Sequence, residues 1–184
     1  AVLGAGLIWV GPDPDVMAMG SEKVRSRARA VSLNLPVIPG TQGPVKNLAE
    51  ARAFAAEAGY PVMIKASHGG GGRGIRLVKN DAEMKTLLPL AQQEALAAFG
   101  SGECFIEKYL AHPKHLEVQI LGDRHGNVVH LLERDCSVQR RHQKVIEIAP
   151  SLALNEDQRR DLCGMAVRFA KAAGYQNAGT VEFL

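Results

Sequence analysis

Apolar and polar positions along the chain follow two rhythms, and the changes between them outline its elements. Residues 61–64 (Pro, Val, Met, Ile) and 75–78 (Ile, Arg, Leu, Val) are short apolar runs bounded by turn residues, which predicts two strands. Residues 115–121 alternate strictly, with His115, Glu117 and Gln119 on one face and Leu116, Val118 and Ile120 on the other. A turn at 123–127 then leads to an antiparallel partner at 128–132. Residues 134–142 read as a polar loop, and 104–107 and 144–149 as further strands. The last run, 179–184, alternates so that Thr180 and Glu182 share a face.

Helical signals fall between these strands. After the turn Gly11-Pro12-Asp13-Pro14, residues 15–32 read as helix with a break near Gly20 and Ser21, ended by Asn34 and Pro36. Asn47 with Glu50, and Asn155 with Gln158, have capping-box spacing; the helices they open stop at Gly59 and Gly174. Asp81 is expected to cap a helix to about Phe99, broken or kinked at Pro89. The apolar opening, residues 1–10, is too short to span a bilayer and lacks the charged start of a signal peptide. It is expected to end a strand. With no initial methionine and a last residue in mid-strand, the chain reads as a piece of a longer protein. The pattern is α+β, a small lobe followed by a mainly antiparallel sheet.

Composition narrows the partners. A 46% hydrophobic content supports a real core, and a net charge of +3, from 22 basic and 19 acidic residues, calls for no nucleic-acid partner. No membrane association is expected either. Cys104, Cys136 and Cys163 are odd in number and widely spaced, which suits neither a disulfide framework nor a zinc site and points to a reducing compartment. The main basic cluster, Arg134, Arg140, Arg141, His142 and Lys144, is either a solvated loop or an anion site.

The candidate chemistry centres on Lys65-Ala66-Ser67-His68-Gly69-Gly70-Gly71-Gly72-Arg73-Gly74. Four consecutive glycines bury nothing and cost backbone entropy, but they let bare N–H groups approach an anion. With Lys65 at one end and Arg73 inside, the run suits a polyphosphate better than a linker does. No helix follows it as a dinucleotide fingerprint requires, and no Gly-Lys-Ser/Thr ends it as in a Walker loop. Its lysine precedes the glycines, unlike that of a protein kinase. A hairpin lid over a nucleotide remains. Glu182 is a candidate ligand for a Mg²⁺ ion, which takes only one or two carboxylates when bound with phosphates; a second carboxylate would have to come from Glu117 or from sequence beyond residue 184.

Several blocks together resemble the biotin carboxylase component of biotin-dependent carboxylases, within the ATP-grasp superfamily. They are the lysine–glycine run, Glu107-Lys108-Tyr109-Leu110, His115-Leu116-Glu117-Val118-Gln119, the segment from Glu133 through Arg134-Asp135-Cys136-Ser137 to Gln139-Arg140-Arg141-His142-Gln143-Lys144, and Gly179-Thr180-Val181-Glu182-Phe183-Leu184. The resemblance implies an ATP-grasp fold, truncated here. Residues 1–36 would close a preceding domain and link onward, 37–108 would form the small lobe with the glycine lid, and 109–184 the first part of the large lobe. It implies an ATP-dependent ligase that phosphorylates bicarbonate to carboxyphosphate and carboxylates N1 of biotin on a separate carrier domain.

In that family's pattern Lys23 and Lys65 would contact ATP phosphates, capped by the amides of Gly71 and Gly72. Adenine would lie against Glu107, Lys108, Tyr109 and Leu110. His115, Gln139 and His142 would line the ribose and phosphate side. Lys144 and His142 would be the catalytic residues, Lys144 helping to hold bicarbonate, and Glu182 would bind Mg²⁺ or Mn²⁺. Implied partners are the biotin carboxyl carrier domain, a carboxyltransferase and a second copy in a homodimer, in the cytoplasm or, in a eukaryote, the mitochondrial matrix. The family's second metal-binding glutamate and its later arginine and glutamate have no counterpart in these 184 residues, and neither does a Met-Lys-Met biotin site. The isolated chain is therefore expected to be inactive. The alternatives are another ATP-grasp ligase, of the carbamoyl-phosphate or purine type, and a non-catalytic nucleotide-binding module.

Overall fold

A computed structural model describes residues 2–68, 74–140 and 143–184, with the backbone alone at Leu3 and Ser21. Its contacts divide into two compact units: Met19–Ala111, and Ala1–Ala18 together with His112–Leu184.

The Met19–Ala111 unit carries the first strands. β1 (Val62–Ala66) lies between β2 (Ile75–Val78) and β3 (Cys104–Lys108), antiparallel to both. One face, formed by Val62, Ile64 and Ala66 of β1 with Cys104 and Ile106 of β3, is buried in a core with helical residues. Those residues come from α3 (Leu48–Ala58), through Ala51 and Ala55, and from α4 (Asp81–Phe99), through Met84, Leu88, Ala91 and Ala95. Burying an aliphatic side chain such as Ile64 contributes about 1.5–3 kcal/mol. Gly74 enters β2 with φ +67°, and a Cβ there would lie 2.9 Å from that of Ala66, so this end of the hairpin needs glycine. The antiparallel strand pair on either side of the glycine run and the expected helices at 48–58 and 81–99 are present, while residues 69–73 lie outside the described ones.

The break expected near Gly20 and Ser21 divides 15–32 into two helices, α1 (Pro14–Ser21) and α2 (Lys23–Ser32), parted at Glu22, whose backbone bridges to His68. Two local expectations need correction here. The cap of α4 is Asn80, not Asp81: Asn80 Oδ1 accepts the Glu83 N–H at 2.9 Å, and Glu83 reaches back to the Lys79 N–H. Asn47 and Glu50 repeat that arrangement at α3, with Glu50 bonded to the Lys46 N–H and not to the cap. Pro89 does not divide α4. It lies on the exposed side, where water can serve the carbonyl that its missing N–H leaves unbonded, while the buried stripe on both sides of it holds the helix.

In the other unit a four-stranded antiparallel sheet has the order β6-β5-β4-β7. β4 is Leu116–Gly122, β5 is Val128–Arg140, β6 is Gln143–Ile148 and β7 is Asn177–Phe183. Val118, Ile120 and Val128 face α5 (Glu156–Ala172), packing on Cys163, Ala166 and Ala170. α5 starts with a full capping box between Asn155 and Gln158. Of the expected polar loop at 134–142, residues 134–140 are instead the second half of β5, paired with β6, while Arg141 and His142 lie outside the described residues. The polar side chains of this half line a sheet face, and backbone pairing needs no apolar partner. The opening segment is also not a strand. It forms a short 3-10 turn, Leu3–Ala5, whose Val2 carbonyl accepts from Ala5 and Leu7, and no strand pairs with it among the described residues.

β5 is irregular where it matters for the site. Val118 pairs with Glu133 and Ile120 with His130, so Leu131 and Leu132 together oppose Gln119. Leu132 adopts φ +65° at this bulge. The extra residue shifts the phase of the strand, turning Glu133 toward α5 and Arg134 to the opposite face.

Candidate active site

Within the Met19–Ala111 unit, three charged groups meet on the face of β1 and β3 away from the core. Lys65 donates to the largely buried Glu107 carboxylate, and Lys23, the first residue of α2, lies in their field. Burial pushes the Lys23 ammonium below its ordinary value, the charge of Lys65 pushes the same way, and Glu107 offsets part of the effect. A cation at a helix N-terminus also opposes the helix dipole. An anion arriving here would relieve all three penalties. Lys108 lies on the core side of β3, where its ammonium donates to the Gly59 carbonyl at 2.7 Å. The Tyr109 N–H donates to the Pro61 carbonyl at 3.3 Å, and Leu110 is half-buried just beyond the strand. Gly71, Gly72 and His142 lie outside the described residues.

The second cluster forms on the polar face of the four-stranded sheet, because β4, β5, β6 and β7 present alternate residues to the same side. Glu117 is its buried centre, paired across strands with Arg134 and Glu182. Glu117 Oε1 accepts from Arg134 Nε at 2.8 Å and Nη2 at 2.5 Å, and Oε2 accepts from Lys144. Lys144 also donates to Glu182 Oε1 at 3.1 Å, and Arg134 to Gln119 at 3.0 Å. Burial alone would raise the Glu117 carboxyl, but hydrogen bonds from Lys144 and Arg134 outweigh it and hold the group below the carboxylate range. Burial would lower the Lys144 ammonium, yet Glu117 and Glu182 hold it above its ordinary value. Lys144 therefore stays charged across the physiological range.

His115 and Gln139 adjoin this cluster. The Gln139 amide donates to His115 Nδ1 at 2.7 Å and to the Cys136 carbonyl at 2.9 Å, which leaves the imidazole proton on Nε2. That nitrogen is buried and, among the described residues, without a hydrogen-bond partner, 3.3 Å from Glu182 Oε1. A donor left unsatisfied beside a half-exposed carboxylate is a feature of a binding face.

As a metal ligand Glu182 fits, since its carboxylate is 55% exposed and hard in character. Glu117 does not, because arginine and lysine occupy both its oxygens. Glu117, Cys136 and Glu147 also bring donor atoms within 4.8 Å of one another. Arg134 already pairs with both carboxylates, and burial raises the Cys136 thiol, so that set does not suit a Mg²⁺ ion either.

The structure thus brings Lys23, Lys65 and Glu107 together in one group, and His115, Gln139, Lys144 and Glu182 in another, whereas the sequence reading sets Glu107 with Lys108, Tyr109 and Leu110. That reading missed Arg134 as a partner of Glu117. The signal was the Glu117 position on an alternating strand, obscured because 134–142 was read as a loop.

Two antiparallel sheets backed by helices, one holding the strands that flank the glycine run and the other a charged face, define an ATP-grasp fold. The chain belongs to the family of the carbamoyl-phosphate synthase L chain, ATP binding domain, whose model matches residues 22–184. It is 53% identical over 180 residues to a pyruvate carboxylase of Aspergillus terreus and 51% identical over 180 to the mitochondrial pyruvate carboxylase of Rattus norvegicus. Each alignment covers 98% of this chain and 15% of the relative, so the chain spans about a sixth or less of their length. It also resembles the biotin carboxylase domain of the Hydrogenobacter thermophilus 2-oxoglutarate carboxylase, solved as a dimer with MgADP, ADP and bicarbonate. There the TM-score is 0.93 and the identity 47%, over 98% of this chain and 40% of that one.

Proposed function

We propose that the chain is the nucleotide-binding part of a biotin carboxylase within a carboxylase of a 2-oxoacid, with pyruvate the favoured acceptor. The observation that carries this reading is the constellation of Lys144, Glu182, His115 and Gln139 around buried Glu117 on one sheet face. The likeness to pyruvate carboxylases supports it. In the reaction, a bicarbonate oxygen takes the γ-phosphoryl group of ATP and ADP departs; biotin N1 then attacks the carboxyl carbon of carboxyphosphate, phosphate leaves with the bonding pair, and the N1 proton passes to that phosphate.

Phosphoryl transfer depends on positioning and on neutralising spread negative charge. Lys23 and Lys65 supply cations for the phosphates, with Glu107 holding Lys65 in place, and Gly71, Gly72 and His142 act in the roles the resemblance gave them. Residues 107–110 receive the adenine. His115 presents its unpartnered Nε2–H to the nucleotide, and Gln139 fixes the tautomer. Lys144, oriented by Glu117, holds bicarbonate, a weak nucleophile that gains from fixed orientation. Glu182 would hold a Mg²⁺ or Mn²⁺ ion, which would supply charge neutralisation for the phosphates. The partners are a biotin carboxyl carrier domain, a carboxyltransferase and a second copy. The compartment is the cytoplasm or the mitochondrial matrix; no helix among the described residues is long and apolar enough to cross a membrane.

The test is bicarbonate-dependent ATP cleavage by the full-length protein with free biotin. Lys144→Gln is expected to lower turnover at least a hundredfold while leaving MgATP affinity within about threefold. Cleavage stimulated by ammonia and not by biotin would instead favour the carbamoyl-phosphate reading, which the name of the matching family model keeps open.

A further inference from the structure

Ser67 follows the last ladder pair of β1 and keeps its register, since its N–H donates to the Glu103 carbonyl at 2.9 Å. Side chains alternate along a strand, so Ser67 falls on the face of Lys65 and away from the core face of Ile64 and Ala66. Only 3% of the residue is exposed, and among the described residues its Oγ has no hydrogen-bond partner. On the same face the Glu107 carboxylate is satisfied by Lys65. A buried hydroxyl without a partner is destabilising, and alanine would fill nearly the same space without that cost. Among the described residues this donor therefore has no acceptor, and it lies two residues from a lysine that is itself crowded by a second cation, Lys23. Two residues of strand span about 6.8 Å, a distance that a polyphosphate chain can bridge.

We infer that the Ser67 hydroxyl is a further nucleotide contact, donating to a phosphate oxygen of the nucleoside polyphosphate whose charge Lys65 neutralises. This rests on the nucleotide-binding function proposed above. The hydroxyl selects for the phosphate chain, not for the base, and acts as a neutral donor beside two cations.

Calorimetric titration of the full-length protein with MgATP, MgADP and adenosine tests it. Ser67→Ala is expected to weaken MgATP and MgADP about tenfold, as loss of a hydrogen bond to a charged group does. It should leave adenosine affinity unchanged and the thermal midpoint of the nucleotide-free protein equal or higher. Ser67→Thr, which keeps the hydroxyl, should restore most of the phosphate-dependent affinity. Unchanged MgATP affinity in Ser67→Ala would overturn the inference alone. So would an equal loss for adenosine, or a lowered midpoint, since either marks Ser67 as a packing residue. Failure of the unsubstituted protein to bind MgATP would overturn the proposed function and this contact with it.

Discussion

Arg159 and Lys144 both answer a buried glutamate, but to different ends. Glu133 accepts from Arg159 Nε at 2.9 Å and from the Ser151 N–H at 3.0 Å, and Arg159 also donates to the Ser151 carbonyl at 3.0 Å. That network ties β5, α5 and the segment between β6 and α5 together. Removing one partner strands the other charge, so Arg159→Ala should cost about 3–5 kcal/mol in denaturant unfolding. Burial alone would raise the carboxyls of Glu117, Glu133 and Asp135, yet hydrogen bonds hold all three below their ordinary values. The native state thus binds these protons less readily than the unfolded chain, and unfolding takes protons up. Their stabilisation is complete above about pH 4.3, the unfolded glutamate value, and is lost as pH falls through the lower native ones. Urea midpoints between pH 7 and 3 should fall at the acid end, and a flat profile would count against this. Glu133→Gln should flatten part of that limb.

At the scale of elements, the bulge in β5 decides which side chains reach the site. Leu132 pays a conformational penalty of about 1–2 kcal/mol for its left-handed φ. Leu132→Gly should therefore unfold at equal or higher denaturant, whereas the β-branched Leu132→Ile should lose about 1 kcal/mol or more. Asn155→Ala, which removes one arm of the α5 capping box, should cost about 1 kcal/mol in the same assay. The helices and hairpins were legible because caps, glycine stops and alternation are local signals. The second half of β5 was not. Residues 134–140 are held by ladder bonds to β6 and by ion pairs to β4, and neither leaves an apolar rhythm in the sequence. The same blindness hid Arg134, whose partner Glu117 is distant in sequence but directly opposite in register. Lys65 was visible because a lysine closing an apolar strand at a glycine run has little structural reason to be there. Lys23 drew meaning only from a resemblance, since burial beside a second cation is invisible in a sequence flanked by Glu22 and Arg25.

For the whole molecule, the two units differ in how much core each possesses. The core of the Met19–Ala111 unit contains thirteen buried residues and that of the other unit six, among those described. Hydrogen exchange in the 184-residue chain should therefore leave β1 and β3 amides protected longer than those of β4 and β7. Comparable protection in both sheets would contradict that ranking. The three cysteines are free and buried, and they are shared between the units: Cys104 lies in β3, Cys136 in β5 and Cys163 in α5. Burial pushes the Cys104 thiol up to about 11 and raises the other two. Because only an exposed thiolate attacks alkylating reagents, all three should be inert while their surroundings stay closed. The chain thus comes with its own clocks: the rate at which each thiol is alkylated times the opening of its unit, with no probe added and no residue changed.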